Sequence, residues 1–163
     1  MNATVIDAFD FCRHNGSEQG VTPVAEMTRL AKDCADASGE ITWNVAGSTG
    51  KMGFPQLTVS VAGTVQLVCQ RCLTPYAYTL DSSTVLMLGK DDQQADEIEE
   101  MIADESIDVI VGTRSMQVMD LVEDEALLAL PQSPRHDVCP DASLLDKARS
   151  EKISPFEALK GLK

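Results

Sequence analysis

The sequence predicts an α+β fold: an antiparallel sheet or partly open barrel with a C-x-x-C knuckle, packed by a long helix in the C-terminal half and a shorter N-terminal helix. Three observations predict it. Apolar residues alternate with period two through most of residues 40–88, two flanking stretches switch to helical spacing, and Cys69 and Cys72 sit between strand-like runs closed by Pro75. At 163 residues, 44% hydrophobic and 24% charged, the chain has the composition of one folded domain. We expect that domain to span 1–140, with an acidic loop at 91–105, followed by a polar tail over 141–163.

In chain order, Thr4 to Phe11 reads as an edge strand and Arg13 to Gly20 as a polar loop in which His14 is a plain surface histidine. Val24, Met27, Leu30, Ala31 and Cys34 recur at helical spacing, with Thr22 placed to cap and Pro23 suited to the first turn. From Glu40 the period becomes two: Ile41, Trp43 and Val45, a turn at 47–53, then Leu57, Val59 and Val61. Gly63 marks a bulge in a strand that resumes at Val65 and Leu67. Residues 75–88 supply the next strand, which makes the knuckle a hairpin tip. Trp43, Tyr76 and Tyr78 are read as cross-strand packing rather than a base-stacking platform, since aromatics make up only 4% of the chain.

After the acidic segment, 106–111 is a short strand. Gln117 to Leu130 is the clearest helix, with Val118, Leu121, Val122, Leu128 and Ala129 on one face and Pro131 ending it. Glu125 falls inside that apolar arc and calls for a backbone hydrogen bond or a cation, Arg71 or Arg135. Asp120, Glu123 and Asp124 read as a solvated face. The tail ends in a short amphipathic piece, Pro155 to Leu162.

The net charge is −13, but Asp91 to Glu105 holds eight acids and no Lys or Arg, so the rest of the chain carries only −5. The balance argues against broad nonspecific nucleic-acid binding. It leaves the acidic run as a solvated loop or frayed helix, or as a contact for a basic partner. No apolar run approaches membrane-spanning length and the first residues lack signal-peptide character, so a cytoplasmic setting is expected, with no membrane partner. The odd count of cysteines, Cys12, Cys34, Cys69, Cys72 and Cys139, favours reduced thiols over a disulfide scaffold.

C-x-x-C serves as half of a zinc site, a redox dithiol, or two unrelated core cysteines. The redox use expects the pair at a helix start, whereas this pair lies between strands. A structural zinc needs two more donors, and His136 with Cys139 offers them at knuckle-like spacing. Cys69, Cys72, His136 and Cys139 are therefore the candidate metal ligands, with zinc the candidate cofactor.

Residues 68–75 (VCQRCLTP), 121–131 (LVEDEALLALP) and the terminal Pro155-Phe156 with Ala158-Leu159 together resemble the large ribosomal RNA subunit accumulation proteins of the YceD family. The resemblance implies a non-catalytic cytoplasmic factor supporting synthesis, processing or stability of 23S rRNA. Its expected partners are 23S rRNA precursor or large-subunit ribosomal proteins, with no small-molecule substrate. Many relatives carry a second late C-x-x-C; this chain departs from them with His136 and Cys139. Some relatives also place an acid where Gln117 opens the long helix. The alternative is a zinc- or thiol-dependent enzyme such as an rRNA-processing nuclease, against which stands the lack of a clustered-acid framework, a Ser/His/Asp set or a phosphate-cradling glycine loop. No catalytic or RNA-binding residues are assigned; Arg71, Arg114, Arg135 and the tail lysines Lys147, Lys152, Lys160 and Lys163, with Arg149, are the cations available to RNA.

Overall fold

The structure, a computed structural model, describes residues 4–140 together with Ser143 and Lys147. The remainder of the expected polar tail, including the amphipathic piece at 155–162, lies outside the described residues. In chain order the elements are β1 (Val5–Ile6), α1 (Ala8–Arg13), β2 (Ser17–Pro23), α2 (Leu30–Asp33), β3 (Glu40–Thr49), β4 (Pro55–Val68), β5 (Pro75–Gly89), α3 (Asp92–Ile102), β6 (Ile107–Val111), β7 (Met116–Gln117) and α4 (Val118–Leu128). Five strands form one open sheet in the order β2-β3-β4-β5-β6, and β1 pairs with β7 beside it.

The predicted mixed class and hairpin hold, with differences that have local causes. The edge strand expected from Thr4 to Phe11 stops at Ile6, because Asp7 caps a helix: its carboxylate accepts from the backbone N–H of Phe9 and of Asp10, each at 3.1 Å. The polar stretch expected as a loop becomes a strand from Ser17, paired along its length with β3. It lies at the sheet edge, where polar residues are accommodated. Thr22 caps no helix; it pairs with Ile41, and its hydroxyl accepts from Trp43 Nε1 at 3.0 Å. The helix expected after it is reduced to a 3-10 turn at 24–26 and the short α2, although Val24, Met27 and Leu30 are buried as their spacing indicated.

The acidic run is a helix and not a loop. Asp91 caps α3 by accepting from Gln94 N at 2.8 Å, and Ile98 is fully buried beneath it. Charge density obscured the Ala95, Ile98, Ile102 spacing that marks its inner face. α3 also explains a second difference, since β6 runs parallel to β5 and two parallel neighbours require such a crossover. The sheet is therefore antiparallel except at this edge.

Leu57, Val59, Val61, Val65 and Leu67 of β4 point to one face with Ile41, Trp43 and Val45 of β3. That face is covered by Ala8 and Cys12 of α1 and by Val118, Val122 and Ala126 of α4. Met87, facing the other way on β5, is buried outside this cluster on the side of α3. The buried arc of α4 is rotated from the expected one: Leu128 is 80% exposed, whereas Glu123 is buried.

Gly63 makes no bulge, because its register is unbroken on both sides, to Ile41 and to Leu80. Its role is close approach. A Cβ there would lie 2.4 Å from the Glu40 carbonyl oxygen and 2.8 Å from Ile41 Cδ1. Gly63→Ala is expected to cost about 2 kcal/mol by overpacking, read as a lower urea midpoint with an unchanged slope. Among the described residues no helix is long and apolar enough to cross a membrane.

Candidate metal centre

β4 and β5 pair as far as Val68 with Pro75, which leaves residues 69–74 as the hairpin tip. Two backbone bonds close it, Cys69 N to Thr74 O at 3.0 Å and Leu73 N to Cys69 O at 2.8 Å. Leu73 takes a left-handed φ of 61°, the turn that lets both thiols face one point. Both cysteines are buried.

The second half of the site arrives from the chain beyond α4. Tyr78 on β5 donates to the carbonyl of Ala129 at 3.3 Å, Gln70 N donates to Pro134 O at 2.8 Å, and Ser133 donates to the Gln70 side chain at 3.0 Å. Tyr76 then packs against His136, with ring centroids 4.9 Å apart. These contacts lay residues 129–139 along the tip and bring His136 and Cys139 to it.

The four predicted donors, Cys69, Cys72, His136 and Cys139, converge, with ligand atoms all within 4.8 Å of one another. A tetrahedron with metal–sulfur bonds of ~2.3 Å has sulfur–sulfur edges of ~3.8 Å. The Cys69 and Cys139 sulfurs are 3.8 Å apart, and the Cys72 sulfur lies 3.3 Å from His136 Nδ1. The residues present therefore fit a tetrahedral metal ion in donor type, number and spacing.

The surroundings of Cys69 favour thiolate. Burial pushes the Cys69 thiol up, but the backbone N–H groups of Cys72, His136 and Arg71 and the His136 side chain outweigh it and hold the thiol down at about 5. The bond from His136 N to this sulfur spans 3.5 Å. Burial raises Cys139 above its ordinary value, opposed by the Arg71 guanidinium. Arg71 Nε donates to Cys139 Sγ at 3.1 Å and Nη2 donates to the His136 carbonyl at 2.8 Å, so this one side chain ties both halves of the cluster together. Sequence reasoning proposed Arg71 as a partner for Glu125 or for RNA. The structure gives it to the cysteines.

Glu125 accepts instead from Ser82 at 2.5 Å, and neither Arg71 nor Arg135 pairs with it. Glu123, expected in solvent, is the carboxylate that takes a cation. It accepts from the backbone N–H of Arg29 at 2.7 Å and of Leu30 at 3.1 Å, and from Arg29 Nε at 2.9 Å. Its pKa is set by opposing causes: burial raises it, and these three bonds prevail and lower it. Arg29 also pairs with Asp124. Of the cations considered for RNA, Arg114 and Arg135 are exposed, and the tail cations other than Lys147 lie outside the described residues.

The architecture is thus a mixed α+β domain whose central hairpin ends in a Cys3His donor cluster. Residues 57–163 match the family described as large ribosomal RNA subunit accumulation protein YceD, and the chain belongs to that family. The match begins at Leu57, so it takes in the donor cluster and α4 but leaves α1, β2 and β3 outside. No solved structure matches the chain.

Proposed function

We propose that this chain is a non-catalytic factor supporting synthesis, processing or stability of 23S rRNA during large-subunit biogenesis, with a structural zinc ion held by Cys69, Cys72, His136 and Cys139. The family match over 57–163 carries the first part and the tetrahedral spacing of the donors carries the second. Bound zinc would supply a cross-link, not a reaction, since four protein donors leave no open position for substrate. The two buried acids of α4 are engaged by Ser82, Arg29 and Leu30, which speaks against a hydrolytic role for them. The partner is 23S precursor or a large-subunit ribosomal protein. The exposed acids along α3 suit a basic protein partner.

The test is the ratio of 23S to 16S rRNA in cells from which the chain is removed, with plasmid-borne wild type as the control. We expect 23S to fall and the plasmid to restore it. An unchanged ratio sinks the proposal, and cleavage of precursor by the purified chain would replace it with the nuclease alternative.

A further inference from the structure

The long hairpin has a second end. Opposite the knuckle, a cleft of about 900 Å³ is lined by residues in or beside five different elements, among them Asp10 and Arg13 of α1, Thr49 at the end of β3, Lys90 after β5 and Arg114 after β6. β4 alone is 14 residues long, which at ~3.3 Å per residue puts this cleft up to ~46 Å from the cysteines. It lies outside the carboxyl ends of the parallel pair β5 and β6.

Its charge is opposite to that of the chain. Three cations, Arg13, Lys90 and Arg114, line it with two carboxylates, and both carboxylates are engaged: Asp7 by the Phe9 and Asp10 backbone, Asp10 by Arg13. Among the described residues, the side chains of Lys90 and Arg114 have no ion-pair or hydrogen-bond partner, although the chain carries −13. Two unpaired cations lining one cleft in a protein with abundant carboxylates are an arrangement that awaits an anion. Asp91 and Asp92 follow Lys90 directly in the chain, and the Asp91 carboxylate is engaged in capping α3, accepting from Gln94 N at 2.8 Å. Gly112 keeps the wall open for Phe9, whose Cζ would lie 2.8 Å from any Cβ at that position.

We propose that this cleft is a phosphate-binding site, with Lys90 and Arg114 contacting the oxyanion and Arg13 contributing once released from Asp10. The phosphate comes from an RNA backbone or from a free nucleotide; the RNA source rests on the function proposed above, and the phosphate chemistry does not.

The test is fluorescence anisotropy of the full chain with a labelled ten-nucleotide single-stranded RNA, and separately with a labelled mononucleotide, over a salt series. For the RNA we expect Lys90→Ala with Arg114→Ala to weaken binding by roughly tenfold at low salt and to flatten the salt slope by about 1.4, two lost contacts at ~0.7 each. Asp10→Asn acts in the opposite direction, tightening binding severalfold by freeing Arg13, so misfolding of one variant cannot mimic the pattern. Lys32→Ala, which removes a charge on α2, serves as the control and should leave binding unchanged. Binding of the mononucleotide alone, with the same dependence on Lys90 and Arg114, supports the cleft and identifies a small-molecule source. Failure of both ligands to bind, or binding that neither variant alters, overturns the site while leaving the 23S:16S measurement to stand or fall by itself.

Discussion

Purified chain is expected to carry one equivalent of zinc, and stripping it, or replacing Cys69 and Cys72 by serine, is expected to lower stability by about 4 kcal/mol. The magnitude follows from what the ion would cross-link. Cys69 and Cys139 are 70 positions apart and Cys72 and His136 are 64 apart, so the site closes a loop that contains β5, α3, β6, β7 and α4. By analogy with a disulfide closing a loop of that length, the restriction of the unfolded chain is worth about 4 kcal/mol. For a chain of this size each kcal/mol moves Tm by ~2–4 °C, so the midpoint should fall by roughly 10 °C. Atomic emission for the metal and calorimetry with and without chelator provide the check; a metal-free chain whose Tm ignores chelator rules out the centre. Arg71→Ala leaves all four donors in place but removes the clamp on Cys139 and the His136 carbonyl. It should weaken metal retention 10- to 100-fold, as loss of a supporting hydrogen bond to a ligand commonly does.

Glu123→Ala is expected to cost about 3 kcal/mol, because it leaves the backbone N–H groups of Arg29 and Leu30 without their acceptor and removes the Arg29 ion pair. Leu30 is fully buried, so water does not readily replace the lost oxygen. Glu123→Gln keeps one acceptor oxygen and should cost less than half as much. The two variants also differ from wild type in their response to acid. Glu123 has its pKa lowered in the fold, so its contribution is present above the unfolded carboxyl value near 4.5 and is lost as pH falls through the lower, folded value. Wild type should therefore lose stability relative to Glu123→Gln below about pH 4.5. Parallel pH profiles for the two proteins would show that the carboxylate charge does not contribute.

How far the sequence reveals this molecule differs from element to element, for reasons that can be named. The β4–β5 hairpin and its cysteine tip were readable because alternation and C-x-x-C spacing are local signals, each contained within a dozen or so residues. The second half of the donor cluster was readable by residue type alone; that His136 reaches the tip depends on contacts from Gln70, Tyr76 and Tyr78 which no spacing encodes. α3 was obscured because eight acids in the segment outweigh one buried Ile98 in any count of polarity. Glu123 was misplaced because its partner lies 94 positions away, where Arg29 had no pattern of its own. Lys90 carried no signal in sequence at all, since a single lysine after a strand is ordinary. Only the return of β6 beside β5 sets it near Arg114.

The order in which the four donors lie along the chain has a consequence for synthesis. Cys69 and Cys72 leave the ribosome with a hairpin that needs only residues 55–89 to pair, whereas His136 and Cys139 follow after a crossover helix, an edge strand and α4. Domains generally form as their residues emerge. A chain interrupted anywhere before His136 offers two thiols and no closed tetrahedron. Complete coordination would thus be available only to a polypeptide that has been translated through its whole described fold, and a bound ion would act as a seal applied at the end.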